Sequence, residues 1–460
     1  PITVTAAEEI CGRSLSLLIT VLFLTFVFLW FGTFVLFDRD LASPAMLLMS
    51  GYALSIAVAF VSDFAQPFDY HWETYGVLVS GIFLFLIPAY IIKRVYASTD
   101  RPSNLFRVIV NFSHSFLWIH ALLCLMLTLV SIPIYVQVLS GLGVEVSTLS
   151  AITEMRNYGI EHPEGTGSGV VLILNQFKKV FIISGYFILF LWSRNCATKR
   201  RFGDDKLLLL NCVCCSAIII TEGGRGGLVA YILAGVVLYF IFDRMLNGAR
   251  FRFSIKTVAI GAGIFTVGCM GFYGMLWATG RTSGEFDIAG VWHHTSFYLG
   301  GSIPLLDNFL DTYVLGEETD IFGKETFYYA LQQINRLGLW EIAPYSVHLE
   351  FRPEIYEGNV YTGLRSYIND FGYEGLIILP VLYSICANWL YYASLRNSRR
   401  QVVAVGMVIY AMLSYSIFTD FIRCFFFLSF VNLNIVITII GLIFLRRLLL
   451  SLHWMRYQPV

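Results

Sequence analysis

The chain has 460 residues, of which 57% are hydrophobic and only 13% charged, against about 25% charged in soluble globular domains. Its 31 Lys plus Arg balance 31 Asp plus Glu; with no basic run, a nucleic-acid partner is excluded. This is the composition of an integral membrane protein.

Apolar runs long enough to cross a bilayer, roughly 20 residues each, recur along the chain. Before the middle they cover Ser14 to Leu36, Pro44 to Val61, Tyr75 to Ile92, Phe116 to Val136, Val170 to Trp192, Leu207 to Ile220, Leu228 to Phe242 and Thr257 to Trp277. A hydrophilic segment from Gly280 to Tyr373 follows, then Leu376 to Leu395, Val402 to Phe418 and Phe425 to Leu445. The expected fold is therefore an all-α polytopic membrane protein of about 11 transmembrane helices. It divides into residues 1–279 with helices one to eight, a long outer-face loop at 280–373, and 374–460 with helices nine to eleven and a tail. The first run follows Glu8 and Glu9 rather than a basic stretch, so it is expected to be a retained helix rather than a signal peptide.

Lys and Arg mark the cytoplasmic connections of membrane proteins. Lys93 and Arg94, Arg200 and Arg201, Arg244 and Arg250, Arg399 and Arg400, and Arg446 and Arg447 follow the odd-numbered runs. This pattern puts the C-terminus in the cytoplasm, the N-terminus outside, and the 280–373 segment on the outer face. Within that segment Phe327, Ala330, Leu331, Ile334 and Leu337 have the spacing of an amphipathic helix, with Gly338 as its stop. A surface helix across the mouth of the bundle is the expectation.

Glu222-Gly-Gly-Arg225-Gly-Gly separates two short apolar runs, so this turn is expected to lie below the outer surface. Arg225 beside a helix N-terminus makes an anion site; the alternative is a tight hairpin in which Arg225 pairs with Glu222. Lys178, Lys179, Arg281, Arg352, Arg365 and Arg423 fall on the same outer side, where guanidinium groups suit bidentate capture of phosphate. The stretch from His348 to Gly372 mixes aromatics, carboxylates and amides, Tyr361 among them, as sugar stacking and hydroxyl recognition require. His348, Glu350 and Glu357 are the candidate general bases. Among nine cysteines, Cys212, Cys214 and Cys215 share one apolar run and none lies in the outer segment. Neither a disulfide framework nor a cysteine metal site is expected. His293-His294 has no third ligand at useful spacing, so no metal and no cofactor are assigned.

Four stretches carry a resemblance. Arg39-Asp-Leu-Ala-Ser-Pro44, the Gly-Gly-Arg225-Gly-Gly turn, Phe297-Tyr-Leu-Gly-Gly-Ser-Ile-Pro-Leu-Leu-Asp307 and Asn359-Val-Tyr-Thr-Gly-Leu-Arg365-Ser-Tyr-Ile-Asn-Asp370-Phe-Gly resemble the bacterial oligosaccharide repeat-unit polymerases, the Wzy or O-antigen polymerase family. That resemblance implies a glycosyltransferase of the C type in the bacterial inner membrane, with its active site on the periplasmic face. Its substrates would be undecaprenyl-diphosphate-linked sugars brought out by a flippase, the growing chain as donor and a new lipid-linked unit as acceptor. It also implies metal-independent, inverting transfer. Membrane lipids and a chain-length regulator, a polysaccharide co-polymerase, are the further partners it brings to mind. Competing readings are an O-antigen ligase acting on lipid A core, a lipid-linked oligosaccharide transporter, and a structural membrane scaffold.

Overall fold

The structure, a computed structural model, describes residues 17–63, 68–96, 108–147, 150–161, 168–199, 205–223, 225–247, 288–313, 321–342, 359–398, 404–451 and 455–459, with residues 263, 266, 269–270, 273–274 and 349 in isolation. The run expected at Thr257 to Trp277 lies almost wholly outside them. So do Arg281, His348, Glu350, Arg352 and Glu357.

The first helices are α1 (Leu17–Leu36), α2 (Pro44–Asp63), α3 (Trp72–Tyr96), α4 (His114–Gly141), α5 (Ala151–Glu161), α6 (Gly169–Lys199), α7 (Lys206–Ile220) and α8 (Arg225–Asn247). After them come α9 (Ile288–Gly300), α10 (Ser302–Thr312), α11 (Tyr328–Arg336), α12 (Gly363–Ser398), α13 (Val405–Phe418), α14 (Phe425–Phe430) and α15 (Leu433–Ser451). Among the described residues, seven helices are long and apolar enough to cross a membrane: α1, α2, α3, α4, α6, α8 and α12; α7 and α13 are shorter apolar helices. On α4, Trp118, Leu122, Leu125, Met126 and Leu129 recur at helical spacing and stay exposed. A stripe of that kind is a liability in water and the expected face toward lipid. The chain is a multi-pass α-helical membrane protein.

α2 and α13 form the centre, buried along nearly their whole lengths. α1 packs on α2, α3 along α12, α4 on α7, and α6 and α13 on α8. The approach of α2 to α13 is closest at Gly51, where an added Cβ would stand 1.9 Å from the Phe418 carbonyl oxygen.

The two ends of the bundle differ. At one end Asp38 and Arg39 turn the chain with φ of 56° and 59°, and Lys93 reaches Asp38 at 2.8 Å. Asp40, buried there, accepts from Arg244 and from the Tyr391 hydroxyl, the latter at 2.6 Å. Ser43 caps α2 by accepting from Met46 N. The Arg39-to-Pro44 stretch therefore has a structural explanation, as a turn tied by ion pairs to the ends of α3 and α8. A two-stranded antiparallel pairing joins β1 (Val108–Phe112) to β2 (Met455–Pro459), a departure from an all-helical expectation.

Two expectations need correction, and one connection holds a helix the apolar runs did not announce. The run Phe425 to Leu445 is not one helix: α14 ends at Phe430 and α15 begins at Leu433. There the Gln333 side chain donates to Asn432 Oδ1 and accepts from Leu433 N, both at 2.7 Å, so polar partners from α11 hold the break open. The connection between the fourth and fifth runs contains a helix, α5, with a small apolar cluster of its own around Tyr135, Leu139 and Met155. The outer segment is not only a surface loop: α9 and α10 pack on α2, and α10 buries Ile303, Leu305, Leu306 and Asp307. The expected amphipathic helix is present as α11, with Tyr328 and Leu331 buried and Gly338 at φ 67° beyond its end. Its expected apolar position at Leu337 is exposed.

Candidate functional site

At the end opposite Asp38 and Lys93, four carboxylates, Glu325, Asp370, Asp307 and Asp420, the last three of them buried, tie the outer segment to the frame at three anchors. Glu325, just before α11, is held by the start of α12. Arg365 Nη1 donates to both of its oxygens at 2.6 and 2.7 Å, Ser366 Oγ to Oε2 at 2.9 Å and Asn369 Nδ2 to Oε1 at 2.9 Å. Asn369 is four residues on from Arg365 and three on from Ser366, so it neighbours both on the helix surface. Asp370 takes the backbone N–H groups of Glu325 and Thr326, at 3.0 and 2.7 Å, on Oδ2. The α12 helix then breaks at Gly372, with φ 63° and ψ −161°, a conformation open essentially to glycine alone. That break lets residues 363–371 turn their polar face to Glu325 while the rest of α12 crosses the bundle.

Arg365 is only 6% exposed. Its guanidinium lies 4.4 Å from the Tyr361 ring centre and 4.9 Å from that of Phe309. Nη1 is committed to Glu325, whereas Nε has no partner among the described residues. Tyr361, expected to meet sugar, is buried against this cation.

Asp307 of α10 is the second anchor. It accepts from His71 N and His71 Nδ1 at 2.8 Å each and from Thr74 Oγ1 at 2.6 Å, capping α3 from another element. The carboxylate beside His71 raises the imidazole above its ordinary value of 6.5.

The third is Asp420, in the turn after α13 and 2% exposed. Its backbone oxygen accepts from Gly363 N at 2.7 Å, and Tyr361 N donates to Ile422 O at 3.0 Å, so this turn and the start of α12 are joined by backbone. Its Oδ2 accepts from the Tyr52 hydroxyl at 3.0 Å, while Oδ1 has no partner among the described residues. Burial pushes this carboxyl up to about 7, against the smaller opposing effect of the Tyr52 hydrogen bond. Asp420 thus exchanges a proton near neutral pH. The hydroxyls of Tyr367 and Tyr383 sit within electrostatic range of it and, with Thr362 Oγ1, are buried without hydrogen-bond partners among the described residues.

The structure gathers the other described candidates at the same end. α8 starts at Arg225, whose side chain lies outside the described residues. Gly223 has φ 73°, and a Cβ there would meet Ile152 O at 2.8 Å; α5 thus packs against the turn. Gly226 faces the Tyr415 hydroxyl of α13. Lys178 is fully buried and donates to Tyr135 Oη at 2.6 Å and to Thr221 O at 3.3 Å, so it caps the C-terminus of α7. Lys179 donates to Asn434 Oδ1 at 3.3 Å. Arg423 is partly buried, and its guanidinium has no hydrogen-bond or carboxylate partner among the described residues.

Sequence reasoning missed Glu325, Ser366, His71 and Thr74 as members of this cluster. One signal was available: a buried arginine needs a carboxylate, and Arg365 with Asn369 on one helix face announces a shared acceptor. Which acceptor was not legible, because Glu325 is 40 positions away.

Comparison with protein-family models, with curated proteins and with solved structures gave no match to this chain.

Proposed function

We propose that this protein is a membrane glycosyltransferase that polymerises undecaprenyl-diphosphate-linked oligosaccharide repeat units at the outer face of the bacterial inner membrane. The hydroxyl of a new lipid-linked unit attacks the anomeric carbon of the growing chain. The bond from that carbon to the diphosphate breaks, undecaprenyl diphosphate leaves with the electron pair, and the hydroxyl proton passes to a base. His348, Glu350 and Glu357 remain the proposed bases; Arg225, Arg281, Arg352 and Arg423 are the proposed partners of the leaving diphosphate. Fixed positive charge in a water-poor site is an effective way to stabilise such a leaving group.

The observation that carries this reading is Arg423, whose buried Nε has no hydrogen-bond partner among the described residues, at the end of the bundle where α8 begins at Arg225. Lys178, Lys179 and Arg365, by contrast, have protein partners in reach, so their proposed part in substrate binding is structural support of the mouth. That this end faces outward follows from the basic connections gathered at the other one.

The test is purified protein with a lipid-diphosphate-linked repeat unit, products resolved on a gel. The expected result is a ladder from wild type and none from folded Arg225→Ala or Arg423→Ala. Wild type giving no ladder with its cognate substrate would sink the polymerase reading, and glycan appearing on lipid A core instead would establish a ligase. A ladder unchanged in both variants would keep the activity and discard the proposed diphosphate site.

A further inference from the structure

His120, Cys124 and Cys215 meet inside the bundle, far from the cluster described above. His120 and Cys124 sit one turn apart on α4, and Cys215 reaches them from α7. All three are buried, and their donor atoms lie within 4.8 Å of one another. The two sulfurs are 3.9 Å apart, and Cys124 Sγ is 3.6 Å from His120 Nδ1. Zn–S bonds of about 2.3 Å and Zn–N bonds of about 2.0–2.1 Å at tetrahedral angles set sulfurs about 3.8 Å apart and sulfur from nitrogen about 3.6 Å. Two edges of this triangle therefore already have the lengths of a zinc coordination shell.

The hydrogen bonds around the ring point the same way. Ser184 Oγ donates to Phe181 O at 2.9 Å, so toward His120 Nε2, 2.7 Å away, it can only accept. Nε2 consequently carries the proton. On the other side Asn211 Nδ2 donates to Leu207 O at 2.8 Å, which turns Asn211 Oδ1 toward His120 Nδ1 at 2.8 Å. A neutral ring would then set one lone pair against another. Either a buried imidazolium or a cation between the two atoms resolves this, and metal-binding histidines characteristically have the far ring N–H held by a hydrogen-bond acceptor. Gly185 makes room for the third ligand: a Cβ there would stand 2.7 Å from Cys215 Sγ.

We propose that His120 Nδ1, Cys124 Sγ and Cys215 Sγ bind a zinc-class divalent d10 cation, with Asn211 Oδ1 as the fourth ligand. Binding releases the two thiol protons; two thiolates, a neutral imidazole and a divalent cation then sum to zero charge. Neutrality matters in an apolar interior, where a net charge is costly. The site clips α4 to α7, and the role is structural because four protein ligands leave no open position.

The test uses the full chain in detergent, stripped with chelator, reloaded with zinc chloride and desalted. Wild type should retain about one zinc per chain, and Cys124→Ala and Cys215→Ala should bind at least ~10-fold more weakly, with Cys386→Ala unchanged. Cobalt in place of zinc should give a thiolate-to-metal absorption band in wild type, a readout that needs no variant to fold. Wild type with neither zinc nor that band overturns the proposal. So does zinc retained equally by the two cysteine variants, or a Cys124–Cys215 disulfide found in protein prepared without reductant.

Discussion

Arg365 and Glu325 form a buried ion pair in which Nη1 touches both carboxylate oxygens, at 2.6 and 2.7 Å. Ser366 and Asn369 complete the carboxylate's hydrogen bonds. Removing one member leaves a buried charge without compensation, which costs about 3–5 kcal/mol. Glu325→Ala should lower the thermal unfolding temperature in detergent markedly, and Arg365→Met with Glu325→Leu should recover part of the loss. Equal unfolding temperatures for Glu325→Ala and wild type would show that the pair does not hold α12 to the outer segment.

The contact between α2 and α13 depends on the absence of a side chain at Gly51, since a Cβ there would overlap the Phe418 carbonyl oxygen at 1.9 Å. A backbone atom cannot swing aside. Gly51→Ala should destabilise by at least ~1–3 kcal/mol, the usual range for overpacking. Gly32→Ala, where nothing lies within 4 Å, should be neutral or stabilising by up to ~1 kcal/mol through helix propensity. Fluorescence-detected size exclusion after heating distinguishes the two.

Asp420 and His71 both make the fold less stable as pH rises. The folded protein holds the Asp420 proton up to about 7, against an ordinary 3.8. Its contribution is therefore complete below the ordinary value and is lost as pH climbs to about 7. His71, raised above 6.5 by Asp307, contributes while protonated and loses that contribution from its ordinary value upward. The unfolding temperature of wild type should fall from pH 3.8 to about 7 through Asp420, and from pH 6.5 upward through His71. Asp420→Asn should flatten the lower part of that slope and His71→Gln the upper part. A slope unaltered by either substitution would assign it to other groups.

Arg423 differs from Arg365 in having no carboxylate partner among the described residues. If it stabilises a departing diphosphate, Arg423→Ala should reduce kcat for polymer formation by about 10²–10³ without lowering the unfolding temperature. Arg423→Lys should restore part of the rate, because a point charge replaces part of a planar fork. Arg365→Lys is expected to do the reverse, lowering stability more than rate. Single-turnover assays beside thermal unfolding separate these outcomes.

That this is a multi-pass helical membrane protein was legible in the amino-acid order alone, because the apolar runs are local and as long as a bilayer is thick. Local signals also served the turns: Gly338 past the end of α11, and the short α7 before the Gly-Gly-Arg225-Gly-Gly turn. Charge counting separated Lys93 and Arg244 from Arg365 and Arg423, and the fold places these pairs at opposite ends. What only the tertiary structure decided is pairing across long separations. Lys178 looked like an interfacial cation and is a buried cap on α7, because its partners Tyr135 and Thr221 are each 43 positions away. Cys124 and Cys215 are 91 positions apart and had no motif to join them. Hydrophobic periodicity fixes which face of a helix turns inward, but it carries no record of which polar atoms meet there; that depends on how the helices cross.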